Sequence, residues 1–159
     1  MELATLTEET SRVGLFGVGN ELRRDQGVGL VALRALVGEG LPPHVQTSEA
    51  RTAGISLLAD LKGLDAAVII TAADTRAEPG TVTVVNAAEL GDAAAPATDL
   101  PGTLADLLDV GALAFPLPDL WFVLVQPAED LPGTGLSLPV GQAVTEMVAR
   151  VREIIGRLA

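Results

Sequence analysis

The chain has 159 residues, 48% of them hydrophobic, a formal net charge of −11 and no cysteine. That length and apolar content suit one compact domain with a real core, and the missing cysteine excludes disulfides, thiolate metal sites and a cysteine nucleophile. Ten Lys+Arg residues against 21 Asp+Glu, with aromatics at 3%, argue against nucleic acid or an anionic membrane surface as partner.

No apolar run approaches the roughly 18 residues of a membrane span. Residues 1–12, MELATLTEETSR, read as a polar extension without a signal-peptide pattern. Residues 13–159 are then one domain, with the cytoplasm as the expected compartment.

Val13–Val18 (VGLFGV) is a short apolar run ending at glycines, the pattern of a buried parallel strand feeding a tight turn. Beyond the turn, Val28, Val31, Ala32, Ala35 and Leu36 recur at helical spacing and predict a helix with one apolar face. Pro42-Pro43 breaks the chain before a second strand over His44–Glu49, and Thr52-Ala53-Gly54 turns into a helix over Ile55–Leu61. Ala66–Thr71 (AAVIIT) is the strongest buried strand. A turn at Arg76–Gly80 leads to a fourth strand, Val82–Val85.

Ala87–Gly102, rich in Ala, Asp and Pro, reads as a long loop, and Thr103 with Asp106 is spaced as a capping box for a helix to about Leu113. Leu120–Val125 is a fifth strand. Ser137 is placed to N-cap a last helix whose stripe is Val140, Val144, Met147, Val148, Val151, Ile155 and Leu158. Strands alternating with helices predict an α/β fold, a three-layer α/β/α sandwich around a mostly parallel sheet of about five strands. Ligands of such sheets bind at the carboxyl ends of the strands, which singles out Gly19–Gln26, Thr71–Thr75 and Ala87–Gly102.

The first loop invites a dinucleotide reading, with Glu49 standing where a ribose-binding carboxylate belongs. The glycine pattern counted from Gly17 fails at its third position, which is Leu22, and Glu21 would bring a carboxylate close to a pyrophosphate. His44, the only histidine, follows the proline pair at the start of the second strand, away from these loops. A serine triad therefore has no well-placed base.

GVGNELRRDQGVGL at Gly17–Leu30 resembles the opening signature of the hydrogenase maturation proteases. TAGISLL at Thr52–Leu58, AAVIITAADTRAEPGTV, TLADLLDV and LWFVLVQPAEDLPGTGLSLPVGQAV are similar to later segments of that family in the same order. The resemblance implies the family's fold and a role in maturing nickel–iron hydrogenase, whose large-subunit precursor would be the partner. Members clip a C-terminal peptide from that precursor once nickel is inserted. It also implies a metal-contacting Glu, Asp and His, a sensible donor set for a divalent transition metal.

In this sequence those three positions hold Gln26, Thr71 and Leu100. None is the implied ligand type, so the expectation is a protein that binds rather than cleaves, with no intrinsic cofactor and nickel carried by the partner. Asp25, Asp74 and Asp99 lie close by in sequence and are possible substitutes for an all-oxygen cluster or, for Asp25 with Asp74, an acid–base pair. Their ordinary roles are to cap the first helix, to serve the acidic turn and to sit solvated in a loop. Gly17, Gly19, Asn20, Thr52 and Gly54 are the expected partner-binding and loop-shaping positions.

Overall fold

A computed structural model describes residues 12–50, 55–87, 95–96, 117–129 and 131–158. Its elements are β1 (Val13–Val18), a 3-10 turn (Arg24–Gly27), α1 (Val28–Glu39), β2 (Val45–Ala50), α2 (Ile55–Leu61), β3 (Ala66–Asp74), β4 (Val82–Asn86), β5 (Ala95–Pro96), β6 (Asp119–Val125) and α3 (Leu138–Leu158).

The main sheet runs β2-β1-β3-β6-β4. The first four strands are parallel, and β4 joins β6 antiparallel at the edge. This is the three-layer α/β/α arrangement that the alternation predicts. β3 runs three residues further than its apolar core suggests, and Ala95–Pro96, inside the segment read as loop, pairs with its extension as Ala73↔Pro96 and Asp74↔Ala95. The capping-box helix read at Thr103–Leu113 lies outside the described residues.

Strand alternation sorts the core into two layers. Leu15, Val68, Ile70, Val123 and Val125 face α1 and α3, meeting Leu33, Leu36, Met147 and Val151. Phe16, Ala67, Ile69, Phe122 and Leu124 face the other way, onto Leu57 and Leu61 of α2. The stripe read along α3 is buried at Val140, Met147, Val148, Val151 and Ile155, with Ala143 and Ile154 added to it.

α1 packs unusually close to the strands because two glycines face each other. A Cβ on Gly29 would lie 2.2 Å from the Ile70 carbonyl oxygen and 2.6 Å from that of Val18, and one on Gly17 would lie 2.5 Å from the Gly29 oxygen. The start of α1 is thereby seated over the carboxyl ends of β1 and β3. These are the strands between which the chain order reverses, the position where open α/β sheets form their ligand crevices.

Candidate functional site

The loop from Gly19 to Gly27 crosses this switch point. Asn20 shapes it: its side-chain oxygen accepts the Leu22 N–H at 3.0 Å, while its own N–H donates to the Gln26 carbonyl at 2.9 Å. Arg24 adopts a left-handed backbone, φ 54°, costly for a residue with a side chain. It is held there by the segment after β6. Its N–H donates to Gly133 O at 3.1 Å, its Nε to Gly135 O at 2.9 Å, and its guanidinium pairs with Glu129 at 3.1 Å.

Asp25 completes the tie. It is fully buried and accepts four bonds: the N–H groups of Ala128 (2.8 Å), Glu129 (2.8 Å) and Ser137 (2.7 Å), and the Ser137 hydroxyl (2.8 Å). Burial pushes its carboxyl pKa up, but these donors, led by Ser137 N–H, outweigh burial and hold it below the ordinary value.

One capping expectation is therefore corrected, and the other holds in position but not through the side chain. Asp25 does not cap α1, whose N-cap is Gly27 with no side-chain bond. The Ser137 hydroxyl is given to Asp25, while its carbonyl accepts the Gly141 N–H at the start of α3. Both side chains are spent on pinning the two loops together.

Between these loops lies a groove of about 290 Å³, lined by Gly19, Asn20, Leu22, Val31 and Leu136 among others. Leu22 and Val31, both lining it, are exposed by 56% and 36%. Gly19 and Asn20 line the groove. Gly17 is buried under α1 and serves packing, and Thr52 and Gly54 lie outside the described residues.

Gln26 is buried at the switch point, 1% exposed, and neither its Nε2 nor its Oε1 has a hydrogen-bond partner. Thr71, level with the end of β1 and also buried, makes one long bond of 3.4 Å to the Ala72 carbonyl. Leu100 and Asp99 lie outside the described residues. Asp74 is exposed, and its Oδ1 accepts the Arg76 N–H at 3.0 Å, as expected of an acidic turn.

The donor chemistry does not fit a divalent metal. Gln26 is neutral, Leu100 has no donor atom, and both Asp25 oxygens are taken by the loop. No group of three His, Cys, Asp or Glu residues suited to a metal occurs among the described residues.

The surroundings of Glu49 add a second point against the dinucleotide reading. Glu49 is gripped by Arg34 of α1 through two bonds of 2.9 Å, which lowers its pKa, and Arg34 also binds Glu21 at 3.0 Å. His44 sits beside Val45, paired with Val13 at the opposite end of the sheet. Sequence reasoning misses Gln126, whose Oε1 accepts from Thr75 N–H (2.7 Å) and Oγ (3.2 Å) and so fixes the loop after β3. Its position directly after a strand, before Pro127, is the only signal available.

Fold and crevice together define an open α/β protein with a switch-point site. The fold is that of the hydrogenase maturation proteases. The chain is similar to the hydrogenase maturating endopeptidase HybD from E. coli (26% identity, TM-score 0.79, covering 93% of this chain and 94% of that one). It is also similar to the hydrogenase 2 maturation peptidase from Thaumarchaeota archaeon SCGC_AB-539-E09 (25%, TM-score 0.69, 91% and 98%) and to HybD from Thermococcus kodakarensis (25%, TM-score 0.69, 90% and 98%). No protein-family model and no curated protein matches the sequence.

Proposed function

We propose that this protein acts in nickel–iron hydrogenase maturation by binding the large-subunit precursor, without cleaving it. The observation that carries the reading is Gln26: the position implied for a metal-contacting carboxylate holds a buried neutral amide, while the scaffold around it is kept. Thr71 and Leu100 remove the other two implied ligands in the same way. What remains is shape, namely the pinned loops and the apolar groove bordered by Leu22 and Val31.

Nickel would travel with the precursor and be met by a protein surface that does not compete for it. No described helix is long and apolar enough to cross a membrane.

The test is to incubate the protein with nickel-loaded large-subunit precursor and follow both complex formation and precursor mass. The expected result is a stable complex with the precursor at full mass. Loss of a C-terminal peptide would replace this reading with an active endopeptidase using a rebuilt carboxylate site at Asp25, Asp74 or Asp99.

A further inference from the structure

Arg24 holds a backbone conformation that glycine would hold at lower cost. At φ 54° a side chain adds strain, so the contacts that the arginine makes must offset it. Those contacts fall on the second wall of the groove, formed by Thr134, Gly135 and Leu136. The wall is anchored at both ends. Gly133 donates its N–H to Leu22 O at 2.8 Å and accepts the Arg24 N–H at 3.1 Å, and Ser137 is held by Asp25. Between the anchors the chain is soft, because Gly133 and Gly135, at φ 146° and 88°, have no Cβ to restrict them, and Thr134 and Gly135 are exposed.

The Arg24 side chain spans this gap. It lies over Gly133, where a Cβ would come within 3.1 Å of Arg24 Cδ. Its Nε then donates to the Gly135 carbonyl at 2.9 Å, and its guanidinium pairs with Glu129 at 3.1 Å.

We propose that Arg24 is a positioning residue that latches the second wall of the groove, so that the groove is already shaped when a partner enters. This rests on the partner reading above and says how the surface for that partner is kept ready. A wall that must first be ordered weakens binding, because apparent affinity falls with the fraction of molecules in the competent shape. The Arg24 and Glu129 side chains are exposed by 35% and 42%, so the latch is weak enough to open without the core opening.

The test compares the full-length wild type with Arg24→Gly, Arg24→Lys and Glu129→Gln, and with Arg76→Gly as a control. Arg76 has the same kind of backbone, φ 61°, but does not line the groove. Amide hydrogen exchange is followed at Gly133 and at position 24, thermal melting gives the global stability, and nickel-loaded large-subunit precursor is titrated. Arg24→Gly is expected to melt within about 3 °C of the wild type, since relief of the left-handed strain offsets the lost exposed contacts. Exchange at the two amides should nevertheless rise about 10-fold or more, as local opening produces. Precursor binding should weaken roughly 3- to 30-fold through the smaller competent fraction. Arg24→Lys lacks the Nε–H that Gly135 accepts, and Glu129→Gln keeps that bond but loses the ion pair, so both should fall in between. Arg76→Gly should change neither the exchange at the groove nor the binding.

Unchanged exchange at both amides in Arg24→Gly overturns the latch, whether or not any precursor binds. Faster exchange with unchanged precursor binding overturns the inference and leaves the partner reading intact. A lower melting temperature with exchange raised across the whole sheet overturns it too, being the pattern of a residue that only stabilises the fold. Should Arg24→Gly not fold, the same criteria apply to Arg24→Lys and Glu129→Gln. Failure of the wild type to bind precursor overturns the partner reading, and the exchange measurement then decides the latch by itself.

Discussion

Asp25 and Ser137 are joined twice, the Ser137 N–H to one carboxylate oxygen at 2.7 Å and its hydroxyl to the other at 2.8 Å. The pair locks the first loop to the start of α3 across 112 residues of sequence. Asp25→Ala would leave three buried or half-buried N–H groups unpaired, so a loss of about 2–4 kcal/mol in urea unfolding is expected. Asp25→Asn should lose a comparable amount, because its NH2 group would face donors.

The same carboxylate sets an acid limit. Its folded pKa lies below its unfolded one, so its contribution is fully present above the unfolded value of about 4 and is lost as pH falls through the lower folded value. Stability measured from pH 6 downwards should therefore fall below about pH 4 in the wild type, and this component of the fall should be absent in Asp25→Ala. An identical acid slope in both proteins would remove Asp25 as its source.

Two glycines of α1 make opposite predictions. Gly29→Ala places a Cβ 2.2 Å from the Ile70 oxygen, so α1 must lift off the sheet, at a cost of at least about 2–3 kcal/mol. Gly38 has open space around it and lies in the last turn of the same helix, so Gly38→Ala should stabilise by roughly 0.5–1 kcal/mol. Thermal melting of the two variants separates close packing from helix propensity in one experiment.

NAD is expected to leave the melting temperature unchanged at millimolar concentration, since a ligand that binds the native state must raise it. Glu49, which would have to meet a ribose, is already held by Arg34 in a two-bond fork. Arg34→Met is the complementary test. The exposed fork should be worth no more than about 1 kcal/mol, and releasing Glu49 should not create NAD binding.

The parts of the fold legible in the sequence are those with local causes. The apolar runs at Val13–Val18 and Ala66–Thr71 and the stripe from Val140 to Ile155 report burial directly, because their periods match the elements they form. The antiparallel placement of β4 against β6 was not legible, since direction depends on a partner strand far along the chain. Nor was the use of Asp25. Read locally it is a helix cap, and only the fold brings Ala128, Glu129 and Ser137 around it. Gln26 was visible as a departure from a pattern, but its burial without partners belongs to the three-dimensional packing alone.

That burial makes Gln26→Glu informative. A carboxylate introduced there would have no cation beside it, so desolvation should push its pKa above the ordinary value of about 4.3. With the folded pKa raised, the folded state holds its proton longer than the unfolded state, and stability must fall as pH rises between the two values. The variant should thus match the wild type near pH 4–5 and be less stable at pH 7–8, read as a pH-dependent gap in urea midpoints. Cadmium or nickel at neutral pH should narrow that gap only if other oxygens can join the new carboxylate. With both Asp25 oxygens committed to the loop and a hydroxyl at Thr71, no narrowing is expected, and recovery by either metal would show that Gln26 alone stands between this scaffold and a metal site.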